Sequence, residues 1–107
     1  MLRRYIFVKL KPEYAQELKL VQLQKMAHDT LHAAYGVQAV HVGRAMDDAT
    51  RADWDLCITV ELVSSVDLER CLKDAVTRAF LDRYLAERSE RVSVGTFEGK
   101  LSGPRRA

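Results

Sequence analysis

The stretch Asp53-Trp54-Asp55-Leu56-Cys57-Ile58-Thr59-Val60-Glu61-Leu62-Val63 decides the fold. β-Branched and large apolar residues dominate it, and these suit a pleated, half-buried backbone. Side chains alternate across a strand, so Trp54, Leu56, Ile58, Val60 and Leu62 share one apolar face. Asp55, Cys57, Thr59, Glu61 and Val63 share the other, which is half polar. Such a strand needs helices on its first face and a different cover on its second.

The flanking segments supply the rest of a sheet. Arg3 to Lys11 reads as a strand with apolar character on both faces (Tyr5, Ile6, Phe7, Val8, Leu10), as expected where both sides are covered. Pro12 suits the first position of a helix, and Glu13 and Glu17 favour its positive end. Over Ala15 to Tyr35, Leu20, Leu23, Met26, Ala27, Leu31 and Ala34 recur at helical spacing. Leu18 and Val21 lie off that stripe. Gly36 is a natural helix stop. A second strand over Val37 to Arg44 places Val37, Ala39, His41 and Gly43 opposite Gln38, Val40, Val42 and Arg44. Met46 to Ala52 reads as a polar loop, longer than a tight hairpin needs.

Beyond the central strand, Ser64 and Asp67 offer a capping box. The helical region that follows carries Leu68, Cys71, Leu72, Ala75, Val76, Ala79, Phe80 and Tyr84 at threes and fours. It is either one helix or two with a break near Lys73-Asp74. Arg91 to Glu98 closes the fold as a fourth strand, with Val92, Val94 and Thr96 opposite Ser93, Gly95 and Phe97. The expected domain covers residues 1–99, and residues 100–107 read as a mobile tail.

The order βαββαβ predicts an α+β, ferredoxin-like arrangement: one antiparallel four-stranded sheet with both helices on one face. Tyr5 or Phe7, Val40 and Val42, and Phe97 leave apolar groups on both surfaces of that sheet. An apolar patch beyond a few hundred Å² is unusual on a monomer. A two-fold homodimer that closes over the open sheet face is therefore expected.

With 107 residues, the chain has room for one modest core. Its net charge of +2, with both signs interspersed, gives no reason to expect nucleic acid or an anionic membrane as partner. No run approaches a membrane span, and Tyr5 to Val8 is too short for a signal-peptide core. Cys57 and Cys71 lack metal spacing and read as reduced thiols of a cytoplasmic protein.

Arg4-Tyr5-Ile6-Phe7-Val8-Lys9-Leu10-Lys11-Pro12, Gly36-Val37, Val42-Gly43-Arg44, the block from Trp54-Asp55-Leu56 through Ser65-Val66-Asp67-Leu68, and Phe80 together resemble the stress-responsive dimeric α/β-barrel (Dabb) family. The resemblance covers nearly the whole chain. It implies a homodimer whose facing sheets form a barrel and, in some relatives, a small pocket between sheet and helices within each subunit. Trp54, Cys71, Thr77 and Phe80 are the residues assigned to that pocket, with a small hydrophobic molecule as ligand. The cyclase branch of the family is similar in frame but carries a tyrosine and a His-Pro-x-His segment on the second helical region. Cys71 and Asp74-Ala75-Val76-Thr77 stand at the matching positions, and the frequent strand-one histidine is Arg4. A threonine hydroxyl does not titrate near neutrality and cannot replace the histidine as a base. The resemblance thus implies a non-catalytic or ligand-binding protein. The alternative is a cofactor-independent enzyme of cyclase or monooxygenase type, using His41, Tyr84 or Tyr5 to move protons.

The remaining candidates have plainer readings. His28 and His32 have metal-ligand spacing but lie opposite the apolar stripe, as a solvated helix face does. Asp47, Asp48, Asp53 and Asp55 match no calcium loop. Trp54 and Tyr84 sit at core phase, where large aromatics usually pack. Ile6 to Leu10 faintly resembles a motif of RNA-recognition domains, but the third strand lacks the base-stacking aromatics. No phosphate loop, zinc motif or Ser/His/Asp set is present, so neither cofactor nor metal is expected.

Overall fold

The computed structural model describes residues 1–99; the expected tail, residues 100–107, lies outside them. Four strands, β1 (Leu2–Leu10), β2 (Val37–Arg44), β3 (Leu56–Leu62) and β4 (Ser89–Glu98), form one antiparallel sheet in the order β2-β3-β1-β4. That order is the ferredoxin-like one, with β3 and β1 central and β2 and β4 at the edges. Ile6 lies between Ile58 and Val94, so the even positions of β1 and β3 and the valines of β4 share the helix side. Val40 and Val42 pair with Val60 and Ile58 and belong to that side too. They do not contribute to the open face. A register shift between Val37 and Ala39 also turns Val37 toward the core, away from Ala39, His41 and Gly43.

A 3-10 turn at Pro12–Tyr14 precedes helix α1 (Glu17–His32), so the proline opens its own turn rather than the long helix. Leu20, Leu23, Ala27 and Leu31 bury on the sheet, while Met26 is 42% exposed and leaves the predicted stripe. Gly36 lies past the helix end, in the turn into β2, with φ +76. A Cβ there would meet the Asp67 Cβ at 2.8 Å. Gly36→Ala combines backbone strain with that clash and is expected to cost about 1–3 kcal/mol, measured by urea unfolding.

The β2–β3 connection is not all loop. Asp47 accepts a 2.7 Å hydrogen bond from the Thr50 amide and caps a short helix, α2 (Asp48–Asp53). The other acids of this region also have local partners. Asp48 pairs with Arg51 at 3.0 Å, Asp53 lies 3.8 Å from Arg91, and Asp55 accepts from the Leu10 amide at 2.8 Å.

The second helical region is broken where Lys73-Asp74 suggested. Helix α3 (Ser65–Lys73) is capped by Ser64, whose hydroxyl accepts from the Asp67 amide at 3.3 Å. Asp74 is extended (φ −62, ψ 129) and caps α4 (Ala75–Ala79), accepting from the Thr77 amide and hydroxyl at 3.0 Å each. The chain continues without interruption through a π-helical segment, Phe80–Leu85, into a last turn, α5 (Ala86–Arg88). The break resets the helical phase. Ala75, Val76 and Ala79 point to solvent, and Thr77, Phe80 and Leu85 take the buried positions.

The Asp74 cap carries a pH dependence. The Thr77 amide, then the Thr77 hydroxyl, hold the Asp74 carboxyl below the ordinary aspartate range. A carboxyl depressed in the folded state stabilises above its unfolded pKa, and that stabilisation is lost as pH falls through the folded pKa. Asp74→Ala is expected to lower the melting temperature at neutral pH, with the gap to the unaltered protein closing in acid. Melting curves across the acid range measure that gap.

Candidate functional site

Two features stand out: the uncovered sheet face and a groove at the edge of the helical layer. On the open face, Trp54, Phe7, Tyr5 and Phe97 form a continuous aromatic row, with ring centroids 5.7, 6.5 and 5.7 Å apart in turn. The sheet register builds it. Phe7 and Tyr5 lie two apart on β1, and Tyr5 faces Gly95 on β4. The absent Cβ of Gly95 lets the Phe97 ring fold across it, where a methyl would stand 3.1 Å from the ring edge. Charge rims the row: Arg3 pairs with Glu61 at 3.1 Å, Lys9 lies 3.8 Å from Asp55, and Arg91 sits 4.9 Å over Trp54. Phe7 and Phe97 remain 36% and 64% exposed.

Trp54 thus stands on the opposite side of the sheet from its predicted core position. Strand β3 starts at Leu56, and alternation does not extend two residues upstream of it. The Asp55 amide donates to the Val8 carbonyl, fixing the entry into the strand before regular pairing begins.

The groove has a volume of about 200 Å³ and opens where the helices stop short of β4. Ile6, Val92 and Val94 form its sheet wall, and Leu72, Leu81 and Leu85 its helical wall. Val92 and Val94 face the helix side yet are 42% and 48% exposed. The π-helical segment supplies Leu81 and Leu85, and such wide turns often mark functional sites. Asp82 stands in the lining, 3.8 Å from Arg78.

Arg4 also lines the groove. Its Nη1 donates to the Thr96 hydroxyl at 2.8 Å, while its Nε is buried with no hydrogen-bond partner among the described residues. Burial lowers the guanidinium pKa from its ordinary value, with Cys71 opposing. Burial likewise pushes the Cys71 thiol up, Asp74 adding to the effect and Thr77 and Arg4 working against it. A thiol shifted that way is an inert packing group rather than a nucleophile.

Three of the four residues assigned to the pocket, Cys71, Thr77 and Phe80, are buried together in the second helical region. Trp54 is not with them. Of the three proton-transfer candidates, His41 and Tyr5 flank Thr59 on the open sheet face and Tyr84 stands apart from them. His41 is exposed on edge strand β2, and Tyr5 lies in the aromatic row beyond β3. Tyr84 belongs to the helical layer, stacked on Phe80 with the Arg88 guanidinium 3.6 Å over its face. His28 and His32 stack on the exposed side of α1 with centroids 5.4 Å apart, and His28 Nδ1 lies 3.1 Å from Asp29. Two signals in the sequence mark Arg4: it stands where the resemblance puts the strand-one histidine, and it is in phase with Leu2, Ile6, Val8 and Leu10, a pattern that places a charge on the core side of β1.

No protein-family model matches the sequence, and no curated protein matches it either. Solved structures do. A protein from Arabidopsis thaliana superposes with a TM-score of 0.82 at 10% identity, covering 97% of this chain and 100% of that one. A dabb family protein with a ferredoxin-like fold from Mesorhizobium loti gives 0.79 at 16% identity, covering 92% and 96%. A dimeric protein of unknown function and ferredoxin-like fold from Bacteroides fragilis gives 0.72 at 19% identity, covering 92% and 95%. The chain therefore has the ferredoxin-like fold over nearly its whole length. It is the fold of the Mesorhizobium loti dabb protein, whose family is the one the sequence resembles.

Proposed function

We propose that the chain works as a homodimer whose uncovered sheet faces pack together into a barrel, each subunit holding a small apolar ligand in the groove beside β4. The aromatic row Trp54–Phe7–Tyr5–Phe97 carries the reading. Four aromatic rings in line on an otherwise uncovered sheet face are costly to leave wet, and a second copy offers the same rings by symmetry. The description of the Bacteroides fragilis protein of this fold as dimeric supports it. Binding is favoured over catalysis because Tyr84 lies in the helical layer, while His41 and Tyr5, though on the same open face, flank Thr59 from either side with no hydrogen bond between them among the described residues. Two free cysteines suit a reducing, cytoplasmic setting. Among the described residues, no helix is long and apolar enough to cross a membrane.

Trp54 is the only tryptophan and stands at one end of the row, so its emission reports the assembly. Dilution through dissociation is expected to shift that emission to the red. Unchanged emission over the whole range, with the mass of a single chain throughout, would overturn the dimer.

A further inference from the structure

We infer that the groove beside β4 takes an apolar monocarboxylate, its hydrocarbon along Leu81, Leu85 and Val94 and its carboxylate on Arg4. The inference rests on the ligand groove proposed above and adds the chemistry of what enters it. Arg4 is the reason. It shares the helix-facing side of β1 with Ile6, Val8 and Leu10, all buried; Arg4 itself is half-buried, with its Nε shut away from solvent and its Nη1 reaching the exposed Thr96 hydroxyl. A cation there needs a counter-charge or a full set of acceptors. The structure gives it one hydroxyl, Thr96, and leaves Nε without a partner. Among the described residues no carboxylate lies within ion-pairing distance of it; Asp82, in the same lining, is paired with Arg78 instead.

A carboxylate fits what remains. The guanidinium fork presents parallel N–H donors that match its two oxygens, and desolvation strengthens the contact. The walls beyond Arg4 are leucine and valine, which ask for hydrocarbon. About 150 Å³ suffices to hold benzene, so a groove of about 200 Å³ admits a short chain or one small ring with its acid group. Asp82 in the lining disfavours a doubly charged head such as a phosphate, which leaves the singly charged carboxylate as the better match.

The test compares octanoate with octanol on the unaltered protein, following the methyl resonances of Val92, Val94 and Leu85. Both are expected to shift those methyls, with octanoate binding roughly ten- to hundredfold tighter, as expected of a charge-assisted pair. Arg4→Met is expected to bring octanoate down to the level of octanol. By removing an N–H buried without an acceptor, it should also leave the ligand-free melting temperature unchanged or raised. Equal affinity of acid and alcohol for the unaltered protein would overturn the anchor and leave the groove standing. No methyl shift with either probe would overturn the groove and the anchor together. A lowered melting temperature with octanoate binding retained would mark Arg4 as structural and overturn the inference. Should Arg4→Met fail to fold, the acid–alcohol comparison decides alone.

Discussion

Phe7→Glu is expected to leave the protein as single chains of 12.2 kDa at micromolar concentration, where the unaltered protein is expected to sediment at twice that mass. Phe7 occupies the middle of the aromatic row, touching Tyr5 and Trp54. Across a two-fold interface each substitution enters twice, so two carboxylates would be desolvated without partners. One buried unpaired charge costs several kcal/mol, enough to abolish a micromolar association, which is worth about 8 kcal/mol. The fold itself should survive, because Phe7 points away from the core and its neighbours Ile6 and Val8 are untouched. Leu18→Glu is the control. Leu18 is 70% exposed on α1, far from the row, and its substitution should leave the mass unchanged. Loss of the dimer in Leu18→Glu but not in Phe7→Glu would place the interface on the helices.

Ile58→Ala is expected to be the most damaging single truncation to the fold, at about 2–5 kcal/mol. Ile58 is fully buried at the centre of β3, between Ile6 on β1 and Val42 on β2. Removing its side chain opens a cavity under α1 that strands on both sides hold open. Domains of this size are stabilised by only about 5–15 kcal/mol in all. The melting temperature should therefore fall by 10 °C or more, given about 4–8 °C per kcal/mol. Urea unfolding at fixed protein concentration gives the free energy directly; a loss below about 1 kcal/mol would mean that β3 is not the packing centre.

Much of this architecture is written in local patterns. The alternation of Leu56, Ile58, Val60 and Leu62 specifies a strand buried on one side, and Ser64 with Asp67 marks where the next helix starts. Elements held by solvent-exposed or long-range contacts are harder to see. Helix α2 buries no residue, so it shows no apolar period, and only the Asp47 cap announces it. Trp54 was placed by extending the alternation of β3 past its real start. Its side of the sheet is set instead by Asp55 bonding to β1, a contact 45 residues away in sequence from Leu10. The phase of Thr77, Phe80 and Leu85 depends on the break at Asp74 and on wide π turns, which place buried residues five apart where an α-helix would use three or four. Of the four residues that the resemblance assigns to a pocket, Trp54, Cys71, Thr77 and Phe80, none lines the groove beside β4. The groove itself exists because the helices fall short of β4, a matter of packing that no spacing in the sequence expresses.

The claim on which the rest depends is that the uncovered sheet faces meet. An isotope-filtered NOE measurement on a mixture of labelled and unlabelled chains tests it most directly. Contacts between chains are predicted among the ring protons of Tyr5, Phe7 and Phe97 and the side chains of the opposing sheet. Interchain contacts confined to the exposed side of α1, around Leu18 and Val21, or none at all at millimolar concentration, would contradict it.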